Sequence, residues 1–156
     1  MSLRTLMMSA FAALGLIACG AEPTTPAKAT ATIEISDLYV VKPSNGRNMT
    51  GGGMQITATG GDFRLISASS EGAERVELHT MEMENDIMKM RQVDGLDISD
   101  GTTLSLEPGG PHLRIFGVDD TLQLGDETEM LFTFEDAAGK SVTVNYAAEV
   151  RSITDR

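Results

Sequence analysis

Two alternating stretches of sequence meet at a turn within residues 73–93, which read AERVELHTMEMENDIMKMRQV. Polar and apolar residues alternate on both sides of Asn85-Asp86, a pair of residue types that favour tight turns. Alternation with a period of two is typical of a β-strand, so this segment predicts a β-hairpin. With the dipeptide at the tip, Met83 lies opposite Met88 and their side chains share one face.

The alternating pattern continues outward from the hairpin in both directions. Short segments with this pattern run from residue 32 to residue 150, and turn residues such as Gly, Pro, Asn and Asp separate them. The pattern predicts an all-β sandwich or barrel of about eight or nine strands. Within it, the glycines of residues 51–53 indicate a bulge or a close backbone approach, and the aspartates of residues 94–101 indicate turns.

The composition limits the function classes to which the chain can belong. Its 156 residues suit one domain, because a single hydrophobic core can be buried efficiently at this length. The chain has 23 acidic and 12 basic side chains and a net charge of −11, which argues against a nucleic-acid partner because such binding requires a basic patch. The catalytic motifs Gly-x-Ser-x-Gly and His-Glu-x-x-His do not occur, so we expect no enzymatic activity.

The single cysteine, Cys19, follows an apolar run that is short for a membrane span and suits a secretory signal. Residues 16–20 read LIACG, which resembles a bacterial lipobox, a signal in which the cysteine is acylated and the chain is cut before it. The resemblance implies a protein anchored by lipid in the cell envelope and facing the periplasm. Because residue 20 is Gly and not Asp, it also implies sorting to the outer membrane in a two-membrane bacterium. An ordinary signal peptide and a buried helix are the alternatives.

The chain therefore divides into four expected parts. They are a lipoprotein signal peptide at residues 1–18, a lipid anchor and extended linker at 19–30, a β domain at 31–151 and a short tail at 152–156. The linker contains prolines and threonines and no large apolar residue, a composition typical of an extended tether.

The methionines of the hairpin are open to two interpretations. The face that carries them also carries a histidine, and its members are His79, Met81, Met83, Met88 and Met90. Thioether and imidazole groups together favour Cu(I), whereas methionines on a β-ribbon also serve as core packing. The other histidine, His112, begins a predicted strand directly after a Pro-Gly-Gly-Pro loop, which strengthens the metal interpretation without excluding the packing one.

The spacing of these residues resembles that of the PCuAC family of periplasmic copper chaperones. The family pattern is His, ten residues, Met, twenty-one residues and then His-x-Met; here ten residues separate His79 from Met90 and twenty-one separate Met90 from His112. The flanking sequence LEPGGPHLRIFGV, at residues 106–118, also resembles the family. The resemblance implies a cupredoxin-like Greek-key fold that binds Cu(I) through His79, Met90 and His112. Arg114 stands at the family's last methionine position, and a guanidinium has no lone pair to offer a metal.

Arg114 leaves two functions open. As the resemblance implies, the protein is a metallochaperone that delivers Cu(I) to an envelope cuproprotein such as a respiratory oxidase subunit, with Met81, Met83 or Met88 as a possible substitute ligand. Alternatively, the chain keeps the fold without copper and serves as an envelope interaction module in which Arg114 recognises an acidic partner. Convergence of Met90 and His112 at the surface within a few ångströms of His79 would favour the first function, and buried methionines with distant histidines would favour the second.

Overall fold

Ten strands make up the fold of the described chain. The computed structural model describes residues 30–44, 46–118 and 121–154, and these residues contain no helix. In chain order the strands are β1 (Thr32–Val41), β2 (Met49–Thr59), β3 (Phe63–Ser70), β4 (Arg75–Glu84), β5 (Ile87–Gln92), β6 (Leu96–Ile98), β7 (Thr103–Leu106), β8 (His112–Phe116), β9 (Glu127–Asp136) and β10 (Ser141–Arg151). The predicted all-β class is confirmed.

All ten strands belong to one sheet. Its order is β5-β4-β8-β2-β1-β10-β9-β3-β6, and β7 also pairs with β2. Strand β8 pairs with residues 49–52 of β2, and β7 pairs with residues 54–57. The ladder between β1 and β10 is parallel, while the ladders on either side of β8 are antiparallel. The order places β8, with His112 and Arg114, between the methionine hairpin and β2.

The sheet curls so that its two halves share one core. Ile56 of β2 and Leu113 of β8 come from one half, and Leu65 of β3 and Phe132 of β9 come from the other; all four are fully buried in the same hydrophobic cluster. Side chains alternate between the two faces of a strand, so the residues next to Leu113 point away from this core. The outer face of β4, β8 and β2 is therefore available for polar and sulfur-containing groups.

The hairpin register follows from its turn. Asn85 and Asp86 have φ values of 52° and 63°, and positive φ at both central residues is characteristic of the type I′ turn, whose twist matches that of the strands. Met81 is paired with Met90, and Met83 is paired with Met88. The predicted hairpin and its register are confirmed.

A short strand lies between the two turns predicted within residues 94–101. Leu96–Ile98 form β6, which pairs with β3, and Ile98 is 1% exposed. The burial of Ile98 explains why this segment joins the sheet. A three-residue strand between aspartates is too short to show alternation, which is why the fold has ten strands where about eight or nine were expected.

Two of the three consecutive glycines are required by close backbone contacts. A Cβ atom on Gly53 would lie 2.3 Å from the carbonyl oxygen of Leu106 and 2.7 Å from the hydroxyl of Tyr39. A Cβ atom on Gly52 would lie 2.6 Å from the carbonyl oxygen of Tyr39. At Gly51 the corresponding distance is 3.5 Å, an ordinary contact. The predicted close approach is confirmed, and it applies to Gly52 and Gly53.

Candidate metal site

The β4–β5 hairpin presents its methionines to solvent. The exposed fractions are 65% for Met83, 47% for Met88 and 45% for Met90, and every residue of β5 is exposed. Core residues are shielded from solvent, so the interpretation of these three methionines as core packing is wrong. Their side chains are accessible to a partner or a metal.

His79 and His112 face each other across neighbouring strands. They are paired directly in the ladder between β4 and β8, and their ring centroids are 5.9 Å apart. His79 is 7% exposed, while His112 is half-buried. The strand order brings together two histidines that are distant in sequence.

Hydrogen-bond acceptors determine which nitrogen of each imidazole carries the proton. Nε2 of His79 lies 2.9 Å from Oε2 of Glu77, and an ionised carboxylate only accepts, so Nε2–H donates. Nδ1 of His112 lies 2.9 Å from the carbonyl oxygen of Gly110, so Nδ1–H donates. In the neutral rings the lone pairs therefore remain on Nδ1 of His79 and Nε2 of His112.

Glu77 is held in the charged form that this arrangement requires. Its carboxylate accepts hydrogen bonds from His79 and, at 2.7 Å, from Nε of Arg75. These bonds lower the pKa of the Glu77 carboxyl from its ordinary value, because they stabilise the ionised form. In the described residues, Nδ1 of His79 is the one buried side-chain nitrogen or oxygen without a hydrogen-bond partner. Metal-binding histidines commonly have this arrangement, with a carboxylate behind one nitrogen and the other available to the metal.

Arg114 lies on the same face as the two histidines and contacts thioethers. Its Nη1 donates to Sδ of Met90 at 2.9 Å, and its Nη2 and Nε donate to Sδ of Met49 at 3.0 and 3.1 Å. Glu77 is paired with Arg114 in the ladder, but its carboxylate makes the two contacts described above. The guanidinium therefore binds sulfur, and the thioether of Met90, a predicted copper ligand, already contacts a cation.

A groove of about 670 Å³ opens beside these residues. We call it the thioether groove, and its lining includes Met49, Met81, Met90, His112 and Arg114. Gly51 also lines it and is paired with Arg114. Three of the candidate residues, His79, Met83 and Met88, do not line the groove. The structure thus brings together Met81, Met90 and His112, with the ring of His79 beside that of His112.

Sequence reasoning missed the roles of Glu77 and Met49. Glu77 precedes His79 by two positions on the same strand and therefore lies on the same face, which is a signal that the sequence contains. No local pattern links Met49 to Arg114, because they meet only through the pairing of β2 with β8.

The donor atoms at this site limit the metal that it can hold. Among residues 30–44, 46–118 and 121–154, no group of three or more His, Cys, Asp or Glu side chains is placed to hold a metal ion. The donors that the structure brings together here are imidazole nitrogen and thioether sulfur, and that combination suits Cu(I) better than Ca²⁺ or Mg²⁺.

The predicted anchor lies elsewhere in the chain. Cys19, the signal peptide at residues 1–18 and the linker up to residue 29 lie outside the described residues. Within the part that the structure covers, no helix is long and apolar enough to cross a membrane. Lipidation at Cys19 stays a prediction.

Comparison with known proteins identifies the family. The family model described as "Putative lipoprotein LpqE-like" matches residues 33–146. The protein named "Putative lipoprotein Lxx21020", from Leifsonia xyli subsp. xyli, is 28% identical over 136 residues, which are 84% of this chain and 81% of that protein. "Uncharacterized protein RP573", from Rickettsia prowazekii, is 29% identical over 86 residues, which are 54% of this chain and 48% of that protein.

Solved structures identify the fold. The copper-bound PCuAC domain from PmoF2 superposes with a TM-score of 0.60 at 20% identity, covering 77% of this chain and 92% of that domain. Apo-DR1885 from Deinococcus radiodurans superposes with a TM-score of 0.56 at 22% identity, covering 96% of this chain and 97% of that chain. The predicted resemblance to PCuAC proteins is thus confirmed for the fold. The chain belongs to the LpqE-like family of lipoproteins, and its β domain has the fold of the PCuAC domains.

Proposed function

We propose that this protein is an envelope metallochaperone that binds Cu(I) through His79, Met90 and His112 and delivers it to a cuproprotein such as a respiratory oxidase subunit. The proposal depends mainly on the two imidazoles that face each other. Their hydrogen bonds to Glu77 and Gly110 leave the lone pairs on Nδ1 of His79 and Nε2 of His112. The copper-bound state of solved domains with the same fold supports it.

The exposure of the ligands suits a carrier that gives up its metal. One ligand, His79, is buried, whereas the thioether of Met90 is accessible from solvent. An acceptor can therefore replace Met90 first and take the ion by stepwise ligand exchange, without unfolding any part of the sheet. Met81 lines the same groove and is the better placed of the substitute thioethers, because Met83 and Met88 lie nearer the hairpin tip.

The proposed position of the protein in the cell rests on its family. A lipoprotein cut before Cys19 would hold the β domain on a linker of residues 19–30, facing the periplasm, and on the outer membrane in a two-membrane bacterium. The description of the matching family as a lipoprotein family supports lipid anchoring in the cell envelope.

The second candidate is an interaction module without copper, and the contacts of Arg114 favour it. The guanidinium uses three N–H groups on the sulfur atoms of Met49 and Met90. Cu(I) on Met90 must either displace one of these hydrogen bonds or lie beside the positive charge of the guanidinium. If this cost in free energy exceeds the free energy gained by binding Cu(I), the chain keeps the fold and recognises acidic groups instead of copper.

Competition with a chromophoric Cu(I) chelator distinguishes the two functions. We expect the wild type to bind one Cu(I), His112→Asn to weaken binding by at least about 100-fold and Met90→Leu by about tenfold. Met83→Leu is the matched control, because it removes an exposed thioether that does not line the groove, and it is expected to leave the affinity unchanged. Undetectable binding by the wild type would reject the chaperone function in favour of the interaction module.

A further inference from the structure

The cations of the thioether groove differ from most others in the chain. Among the residues that the structure describes, five basic side chains form ion pairs with carboxylates: Arg64, Arg75, Lys89, Arg91 and Arg151. Four basic side chains in the same regions form none: Lys42, Arg47, Arg114 and Lys140. Three of these four line the thioether groove, and only Lys140 lies elsewhere.

The charged side chains that line the groove, among the residues described, are all basic. None of its described lining residues is Asp or Glu, although the chain has 23 acidic side chains against 12 basic ones. Like charges in a recess repel one another, and the recess limits the screening that water provides. Three cations without an ion pair to a described carboxylate are a specific feature of this groove: Lys42 donates instead to the Gln123 side chain at 2.9 Å, and Arg114 donates to two thioethers.

Arg114 binds acceptors that a carboxylate would readily replace. A thioether is a weak hydrogen-bond acceptor, whereas a carboxylate forms two parallel, charge-assisted bonds with a guanidinium. Gly51, which has no side chain, is paired with Arg114 and lines the groove beside it. A carboxylate that enters the groove can thus take the guanidinium away from Met49 and Met90 and release the sulfur atoms.

We propose that the thioether groove is the docking site for an acidic, partly apolar peptide segment of the protein with which this chain exchanges copper, and that a carboxylate of that segment binds Arg114. The identity of the partner as a copper-exchange protein rests on the proposed function. The volume of about 670 Å³ is that of a ligand-sized site. The apolar side chains of Leu124 and Ile153 line the same groove and supply contacts for apolar residues of the segment.

Charge complementarity favours a peptide over a membrane surface. Lys42 and Arg47 come from the loop after β1, and Arg114 comes from β8, so the cations approach the groove from different elements. A segment with several carboxylates along its length can reach all of them inside the recess. An anionic bilayer presents a broad negative surface, which would repel the rest of a chain with a net charge of −11.

The probe for this proposal is a synthetic peptide of alternating glutamate and leucine, with a twin in which lysine replaces every glutamate. The full chain, labelled with ¹³C in its methionine methyl groups, is titrated with each peptide, and the methyl signals of Met49 and Met90 are followed by NMR. We expect the acidic peptide to shift both signals and the basic twin to shift neither. Vesicles of equal parts phosphatidylglycerol and phosphatidylcholine form the membrane arm and are expected to shift neither.

Matched variants separate docking from net charge. We expect Arg114→Gln to weaken peptide binding by about tenfold or more and Arg47→Gln by about two- to fivefold. Lys140→Gln removes the same charge from outside the groove and is expected to leave the affinity unchanged. Equal losses for Arg47→Gln and Lys140→Gln would show that binding follows net charge alone and would overturn the proposal.

The remaining outcomes also decide between interpretations. Failure of the acidic peptide to bind, or shifts caused by the vesicles alone, would overturn the peptide docking site. The chelator competition described above tests copper binding separately on the same preparation. Peptide binding by a chain that binds no Cu(I) would support the docking site and exclude copper exchange as its purpose. Cu(I) binding without peptide binding would support the copper function and exclude the docking site.

Discussion

Replacing Arg114 is expected to strengthen Cu(I) binding, and two replacements separate the causes. Arg114→Leu removes the positive charge and the N–H donors that now contact Met90 and Met49. Arg114→Met removes the same groups and adds a thioether at the last methionine position of the PCuAC pattern that the sequence resembles. The leucine variant therefore measures what the guanidinium costs, and the difference between the two variants measures what the fourth ligand contributes.

The size of the effect follows from the contacts. If the guanidinium moves away, Met90 loses the N–H···S hydrogen bond that Arg114 donates at 2.9 Å, which costs about 1 kcal/mol. If the guanidinium stays, a monovalent cation on the same sulfur lies roughly 5 Å from it, where two like charges repel by about 1–3 kcal/mol for an effective dielectric constant between about 80 and 20. These costs are alternatives, so the penalty is about 1–3 kcal/mol and Arg114→Leu should raise the Cu(I) affinity by about 5- to 150-fold. The lower end applies if the guanidinium rotates away into the groove.

The assay is an anaerobic competition titration against a chromophoric Cu(I) chelator, performed on the wild type and on both variants. Lys140→Gln is the control for long-range electrostatics, since it removes one positive charge away from the groove, and its affinity should match that of the wild type. We expect the order of affinities to be Arg114→Met above Arg114→Leu above the wild type. Circular dichroism melting curves establish that the variants are folded before their affinities are compared.

Two results would contradict the proposed competition between Arg114 and Cu(I) for the sulfur of Met90. If Arg114→Leu binds Cu(I) no more tightly than the wild type, the guanidinium does not oppose the metal, and its contacts with sulfur carry no cost for copper. If Arg114→Leu and Lys140→Gln gain equally, the effect comes from the overall charge and not from the shared sulfur of Met90. Either result would remove the physical argument for Arg114 as a competitor of copper.

Two further changes test the surroundings of the site. Glu77→Ala is expected to shift neutral His79 from the Nε2–H tautomer to a mixture of tautomers, which two-bond ¹H–¹⁵N correlation spectra of the ring would show. It is also expected to weaken Cu(I) binding by about 10- to 100-fold. An unchanged tautomer would contradict the role of the Glu77 carboxylate. Gly53→Ala is expected to lower the free energy of unfolding by about 1–3 kcal/mol, because its Cβ would lie 2.3 Å from a carbonyl oxygen. Gly51→Ala, whose nearest such contact is 3.5 Å, should stay within about 0.5 kcal/mol of the wild type, and equal losses at the two glycines would contradict the packing argument.

The parts of the fold that local chemistry determines were predictable. The turn at Asn85 and Asp86 requires positive φ at both positions, and a period of two then fixes the pairing of every residue in the hairpin. The pairing of His79 with His112 is different, because it depends on the strand order. Local alternation contains no information on which strands become neighbours, so the sequence suggested this proximity only through the resemblance in spacing. The assignment of copper ligands stays a prediction.

The missed features depend on contacts between distant segments. Met49 reaches Arg114 because β2 pairs with β8, and the cations of the groove come together because the loop after β1 lies near β8. The short strand β6 was missed for another reason: its three residues join the sheet because Ile98 is buried by the rest of the core. In each case the feature is stabilised by packing between distant strands. The pattern of one segment taken alone does not show that packing.

Arg114 also connects the two proposals thermodynamically. Cu(I) at Met90 and a carboxylate in the groove both favour a guanidinium that has left the sulfur, so each ligand removes an obstacle to the other. Linkage requires the coupling to be reciprocal: if the acidic peptide raises the Cu(I) affinity by some factor, Cu(I) raises the peptide affinity by the same factor. The part of that factor that passes through Arg114 cannot exceed the gain produced by Arg114→Leu, because the peptide can at most remove the whole cost of the guanidinium. In Arg114→Leu the coupling through this side chain should therefore disappear, while the copper site itself improves.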